Sequence, residues 1–207
     1  ILMYSRLLRE GKARQPEKAE RFLGVIERES DRLQRMIRQM LDLAKLEARE
    51  MQHSPEPVWL NALFDESLPP LAERAVQKGL LFRQRIELDL PPVMGSIEAY
   101  AMTLRILLDN AIKFTPSGSV QITAWQKDDT VIVEITDDGI GIPPEAMNNL
   151  FKRFYRAQSA VERGIAGTGL GLYMVKENLR NYNGRIAVQS TLGKGTTFTL
   201  QLPIAQI

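Results

Sequence analysis

The chain has 207 residues, 44% hydrophobic and 25% charged, with a formal net charge of +2 and no cysteine. That length holds one or two domains with a sizeable core, and so small a positive balance leaves no footprint for nucleic acid or an anionic membrane surface. The lack of thiols excludes disulfides and thiolate metal sites and fits a reducing, cytoplasmic setting.

"ILMYSRLL" reads as the end of one helix, closed by Gly11 and the "KARQP" turn. From Glu17 to Glu50 there is no proline and no turn cluster. Phe22, Ile26, Leu33, Met36, Met40 and Leu43 recur mostly three or four apart, and Ile37, Leu41 and Ala44 widen the stripe. That pattern predicts a long amphipathic helix. Two such helices make a hairpin that cannot bury its own stripe. Either it packs on its own chain, or it pairs with a second copy into a four-helix bundle, the arrangement expected here. "HSPEP", His53 to Pro57, then breaks the helix. The expected organisation is a helical hairpin over 1–52, a linker over 53–57 and a second domain over 58–207.

In that second domain Val58–Leu60 and Leu80–Leu88 read as strands. Between them lies a helix from Asn61 to about Gln77, which Pro69 and Pro70 should delay or bend. Ser96–Phe114 is helical, with Ser96 as N-cap. "VQITAWQ", "KDDT" and "VIVEIT" form a hairpin. Leu170–Tyr182 is helical, Asn183-Gly184 turns, and "RIAVQS" and "TTFTLQL" are closing strands. The fold class expected is α+β: a helical hairpin followed by an α/β sandwich, a mixed sheet with helices on one face. No apolar run approaches the roughly 20 residues that span a bilayer, and no signal peptide is visible. Beginning at Ile1 in mid-pattern, the chain reads as a piece of something longer, with any membrane attachment in other segments.

Four stretches carry chemistry. "VIVEITDDGIGIPP" ends a strand on Asp137 and sets Gly139 and Gly141 two apart, so that backbone can approach a flat ligand and turn sharply. A carboxylate there can accept a hydrogen bond from an exocyclic amine such as that of adenine. Guanine presents an oxygen instead, a mismatch of roughly 1–3 kcal/mol. Taken alone, such a stretch is more often a tight surface turn. "LRILLDNAIKF" sets Asn110 and Lys113 three apart on one helix face. The amide is a reasonable hard ligand for Mg²⁺ and the ammonium a point charge for phosphate; a half-buried Asn bonded to backbone and a solvated Lys form the rival reading. "GTGLGL", Gly167 to Leu172, opens a helix, whose N-terminal N–H groups and dipole favour phosphate. A Walker loop is excluded because GxxxxGK[ST] is absent, and a Rossmann turn because no strand precedes the glycines. The polar stretch Arg156–Ala166 reads as a mobile loop able to close over a ligand. In "GKGTTF", Thr196 begins a strand, where its hydroxyl can support Asp137 or a water beside a base.

Together and in this order, "DNAIKFTP", "DDGIGIP", "FKRFYR", "GTGLGL" and "GKGTTF" resemble the asparagine box, first glycine box, phenylalanine box, second glycine box and final glycine box of bacterial sensor histidine kinases. The resemblance covers Val58–Pro203 as a catalytic ATP-binding domain of the Bergerat type. "FLGVIERESDRLQRMIRQMLDLAKLEA" resembles the second helix of the dimerisation and phosphotransfer domain. It implies ATP and Mg²⁺ as cofactors, with Asp137 on adenine, Asn110 on the metal and Lys113 on phosphate. Gly139 and Gly141 would flank the base, with Thr196 beside it. Gly167, Thr168, Gly169, Leu170 and Gly171 would line the phosphate path under a lid from about Pro144 to Thr168. Phe151 and Phe154 would anchor that lid, and Arg156 and Arg163 are its candidate phosphate contacts. The implied partners are a second copy of the chain, through the N-terminal helices, and the receiver domain of a response regulator.

Two departures stand out. The family's phosphoacceptor histidine is expected before Ile1, and the single histidine, His53, sits at the domain boundary without the motif. The family commonly carries a polar residue four before the metal-binding Asn; here that position is Ile106, which transfers no proton. The function implied is ATP-dependent phosphoryl transfer to a histidine, then to a response regulator. The alternatives are a non-catalytic kinase scaffold, or a Bergerat-fold ATPase or serine kinase.

Overall fold

Helix α1 (Leu2–Arg9) and helix α2 (Pro16–Glu47) belong to the first of two units in a computed structural model that describes residues 1–12, 15–47 and 55–206. Pro16 opens α2, where its fixed φ suits the helix and its missing N–H is not needed. The rings of Tyr4 and Phe22 meet at 5.1 Å, tying α1 to the start of α2. Arg6 and Lys12 pair with Glu10 at 2.8 and 2.9 Å. Leu2, Met3, Leu23, Leu33, Ile37, Met40 and Leu41 stay exposed. The hairpin therefore leaves most of its apolar stripe uncovered. The last three residues of the predicted helix, Ala48 to Glu50, lie outside the described residues, as do His53 and Ser54.

The second unit, Lys45–Ile207, takes in the last three residues of α2 and everything described after them. Glu56 and Pro57 are not linker: they form strand β1 (Glu56–Val58), paired antiparallel with β3 (Val93–Gly95), a strand too short to read from sequence. Leu60 is already helical, in α3 (Leu60–Gln77). This helix runs without interruption through Pro69 and Pro70, and its start is not delayed. Both prolines are exposed, as are Asp65 and Glu66, whose carbonyls lose their helical partners to the missing N–H groups and face water. Leu60, Leu63, Phe64, Leu68, Leu71 and Ala75 keep one buried face continuous across them. Burial outweighs the two lost bonds.

Strand β2 (Leu81–Ile86) leads through β3 into α4 (Ile97–Phe114), capped by the Ser96 side chain accepting the Ala99 N–H. Strands β4 (Ser119–Lys127) and β5 (Thr130–Asp137) are the predicted hairpin, turning at Asp128 with φ 51°. Short helices α5 (Pro144–Met147) and α6 (Gln158–Glu162) precede α7 (Gly171–Asn181). Strands β6 (Arg185–Thr191) and β7 (Gly195–Pro203) close the chain. The sheet order is β2-β4-β5-β7-β6, parallel only between β2 and β4.

Alternation on the middle strands buries Val120, Ile122 and Ala124, then Val131, Val133 and Ile135, then Phe198, Leu200 and Leu202. They share one core with Leu68, Leu104, Leu107, Leu108 and Leu179 from α3, α4 and α7. The opposite face carries Gln121, Thr123, Glu134, Thr136, Thr197 and Thr199, all half-exposed. The expected sandwich, with helices on one face of a mixed sheet, is what forms. Among the described residues no helix is long and apolar enough to cross a membrane.

Candidate functional site

Asp137 ends β5 opposite Thr196 of β7 and is only 6% exposed. Its carboxylate accepts the Gly139 N–H at 2.8 Å and the Thr196 N–H. Burial pushes its pKa up from 3.8 to about 6; the two donated bonds pull it back, and the neighbouring Asp138 charge adds to the rise. A carboxylate with two oxygens and two bonds made keeps acceptor capacity for more. Asp138, next in sequence, is exposed and serves as a tie, accepting the Ser119 N–H at 2.8 Å and its hydroxyl at 2.7 Å. Adjacent acids thus have separate tasks.

Thr196 supports Asp137 through its backbone N–H, while its hydroxyl, expected on Asp137 or on a water beside a base, turns to a neighbouring serine. Its Oγ1 lies 2.9 Å from Ser190 Oγ. Ser190 sends its one proton to the Gly195 carbonyl at 2.8 Å and accepts the Ile142 N–H at 2.8 Å. Thr196 is therefore the donor, and its own lone pairs remain available beside Asp137. Ser190 carried no signal in the sequence, because its partners come from two separate segments, one of them 48 residues away.

The glycines of "DDGIG" meet the protein's own chain. A Cβ on Gly139 would stand 2.5 Å from Asp137 Oδ1 and 2.7 Å from the Phe114 carbonyl. At Gly141, with φ 67°, it would stand 2.1 Å from the Thr191 carbonyl. The close approach inferred toward a flat ligand is thus made first to α4 and to the β6–β7 turn. The Ile140 N–H donates to Phe114 O at 3.1 Å and the Gly193 N–H to Ile140 O at 2.8 Å, which fixes this loop at both sides.

Phe114 ends α4, so the loop brings Asp137 to the C-terminal end of the helix that carries the half-buried Asn110 and Lys113. Lys78 donates to the Ile112 and Lys113 carbonyls at 2.6 and 3.0 Å, capping the negative end of α4. Arg74 pairs with Asp109 at 2.5 Å. Sequence spacing gave no hint of either contact. The Asn110 amide meets no hydrogen-bond partner among the described residues. Lys113 Nζ lies 4.7 Å from the Phe114 ring centroid and 3.2 Å from where a Gly167 Cβ would stand, with Arg156 Nε at 3.9 Å from the same point. The structure therefore gathers Asn110, Lys113, Arg156 and the start of the "GTGLGL" segment.

Leu170, expected to line the phosphate path, is 1% exposed and points into the core. It offers only backbone, and its N–H donates to Thr168 Oγ1 at 3.3 Å. Gly171 begins α7, so its N–H and the two after it are the unpaired donors of that helix end. Gly169, with φ 76°, would clash through a Cβ with the Phe154 and Tyr155 backbone at 2.5 and 2.7 Å. In the lid Phe151 packs on the core while Phe154 is 58% exposed, so only the first anchors it by its side chain. Arg153 donates to Tyr173 Oη at 2.6 Å and stacks on that ring, and Lys176 stands over Phe151. The predicted loop Arg156–Ala166 holds α6, and Arg156 crosses its base to the Ile165 carbonyl at 2.6 Å. Arg163 is exposed and caps the end of α6.

Residues 95–206 match the family model of histidine kinase-, DNA gyrase B- and HSP90-like ATPases, and residues 1–49 match the His Kinase A phospho-acceptor domain. The circadian input-output histidine kinase CikA of Synechococcus elongatus is 33% identical over 98% of the chain and 27% of its own length. The sensor protein SrrB of Staphylococcus aureus is 32% identical over 97% of the chain and 34% of its own length. The chain belongs to the sensor histidine kinases. It spans about a third or less of these curated relatives. Among solved structures, full-length ShkA, crystallised with AMPPNP, matches this histidine kinase chain with a TM-score of 0.76 and 27% identity over 93% of it and 40% of ShkA. The mycobacterial sensor histidine kinase MprB matches with a TM-score of 0.61 and 28% identity, over 74% of this chain and 99% of that one. The histidine kinase assignment thus rests on both units, the helical hairpin and the ATPase-like sandwich.

Proposed function

We propose that this chain binds ATP with Mg²⁺ and presents the γ-phosphoryl group to a histidine, for relay to the receiver domain of a response regulator. The observation that carries the reading is Asp137: a carboxylate 6% exposed at the end of a central strand, with acceptor capacity unspent, on a loop bonded to the end of the helix whose Lys113 lies against the glycine-rich segment before α7. Burying a carboxylate this way is unfavourable unless something is gained from it. Ionised, Asp137 accepts from the exocyclic amine of adenine, and the lone pairs of Thr196 Oγ1 lie beside it for a second amine proton or a water. A guanine oxygen would face two acceptors and be rejected.

The phosphates would follow α4 toward α7. The Gly171 N–H and its two neighbours donate to phosphate oxygens, and Lys113 adds a point charge. The half-buried, unpartnered amide of Asn110 fits a single oxygen ligand for Mg²⁺. Among the described residues no three His, Cys, Asp or Glu side chains cluster as a metal cage. A cation here would take its other ligands from phosphate oxygens and water, as Mg²⁺ commonly does. Bound there, it would neutralise charge developing on the transferred group. Ile106, one turn before Asn110, can take no proton, so no side chain at that position activates water. Transfer to another protein group is favoured over hydrolysis. The exposed stripe of Leu33, Ile37, Met40 and Leu41 supports pairing of two chains through their helical hairpins.

The test is calorimetry with ATP in the presence and absence of Mg²⁺, followed by labelled ATP with a histidine-bearing phosphotransfer domain supplied in trans. Acid-labile label on that domain is the expected result. Steady phosphate release, acid-stable label on serine, or no transfer at all would contradict it.

A further inference from the structure

The segment Gly167–Gly171 runs along α4 in the opposite sense and touches it at two points. One is the contact of Gly167 with Lys113 Nζ. The other is at the far end, where a Cβ on Gly171 would stand 3.0 Å from Ile106 Cγ2. Residues 106, 110 and 113 are spaced by four and three and so share one face of the helix. Asn110 lies between the two touching points. They differ in stiffness. A lysine ammonium ends a flexible four-carbon stem, whereas a β-branched side chain in a helix holds one strongly preferred rotamer. Ile106 is half-buried and packs on the core, so its branching methyl is fixed relative to the α4 backbone. Gly171, which it meets, is the first residue of α7 and carries the first of that helix's unpaired N–H groups. The glycine is what lets the methyl come so close, since a Cβ there would press on it more tightly than ordinary van der Waals contact.

We propose that Ile106 is a positioning residue for phosphate: its branching methyl seats the first turn of α7 against α4 and so sets the gap between the Asn110 amide and the α7 N-terminal N–H groups. The inference rests on the nucleotide-binding reading and adds a residue to which no role in binding would be given on chemical grounds, because an aliphatic group touches neither base nor phosphate. It acts through the backbone of Gly171. An ordinary packing residue would affect every ligand alike; a spacer for the phosphate end affects only ligands that carry phosphates.

The experiment compares the full chain with Ile106→Val and Ile106→Leu. Valine keeps the branch at Cβ, and leucine keeps the volume but not the branch, so both are accommodated at a half-buried position. Dissociation constants are measured for Mg²⁺-ATP and for adenosine, the latter by competition against a fluorescent nucleotide. The expected result is Mg²⁺-ATP binding weakened about tenfold in the leucine variant, the scale of one charge-assisted hydrogen bond lost. Adenosine binding should be unchanged, and both affinities retained in the valine variant. Three results would overturn the inference: a leucine variant that binds Mg²⁺-ATP like the parent, equal weakening of ATP and adenosine, or loss in the valine variant. A parent chain that binds neither ligand would overturn the nucleotide reading, and this inference with it.

Discussion

Replacing Asp137 by asparagine should strengthen the fold at neutral pH while removing its use. The carboxyl sits at about 6 in the folded chain against an ordinary 3.8. Because the folded form holds its proton more tightly, protonation favours folding. Stability from this group is greatest below about pH 4, falls as pH rises toward 6, and stays low above it. At 1.36 kcal/mol per pH unit the full difference is about 3 kcal/mol. Between pH 7 and pH 5 the parent should regain about 1.3 kcal/mol of it, a Tm rise of roughly 3–5 °C for a domain of this size. The substituted amide does not titrate. The variant's profile, subtracted from the parent's, should isolate this change from every other carboxylate. At pH 7 the variant should be as stable as the parent or up to about 2 kcal/mol more stable, since about 1 kcal/mol or more of the gain is offset where the amide satisfies the Gly139 and Thr196 N–H groups less well. ATP affinity should behave oppositely. It should drop about 10- to 100-fold in the variant at pH 7, and in the parent it should fall about tenfold from pH 7 to pH 5 as the acceptor is protonated. The assays are thermal denaturation across pH and calorimetric titration with Mg²⁺-ATP. Parallel Tm profiles in parent and variant, with ATP affinity intact in both, would refute the reasoning.

Three further outcomes follow from particular contacts. Gly141→Ala places a methyl 2.1 Å from the Thr191 carbonyl at φ 67°, so urea denaturation should show a loss above about 3 kcal/mol. Gly193→Ala, at φ 78° with open space around it, should lose only about 1 kcal/mol, and equal losses would refute the steric account. Tyr173→Phe removes the hydroxyl that Arg153 bonds at 2.6 Å but keeps the ring beneath it. Hydrogen exchange should accelerate over residues 148–157 while global stability changes by less than about 1 kcal/mol, and unchanged exchange would show that this contact does not hold the lid. Ile37→Glu, on the exposed stripe of α2, should convert a dimer to a monomer in sedimentation; a dimer that survives would place the interface elsewhere.

Periodicity makes the long elements legible: α2, α4 and the β4–β5 hairpin each keep one apolar face over many residues. Strand β3 is not legible, because three residues after two prolines carry no period. The course of α3 departs from expectation for a definite reason. A proline pair reads as a helix breaker, but its cost depends on which face it occupies, and here solvent takes up the two orphaned carbonyls. In the site, residue types name the chemistry of Asp137, Asn110 and Lys113, because a buried acid and an amide inside apolar runs stand out. The helpers do not show. Ser190, Lys78, Arg74 and the Arg153–Tyr173 pair act across distances in sequence that no spacing rule covers. The glycines do signal close approach, but to a different neighbour than expected: Gly139, Gly141 and Gly169 approach the protein's own backbone, and only the fold reveals what lies opposite a missing Cβ.

The most direct measurement is a crystal structure of this chain soaked with AMPPNP and Mg²⁺. The purine amine should lie within hydrogen-bond distance of the Asp137 carboxylate, with the phosphates between Lys113 and the N–H groups opening α7. A purine bound away from Asp137, or phosphates that avoid the Gly167–Gly171 backbone, would contradict the nucleotide site described here.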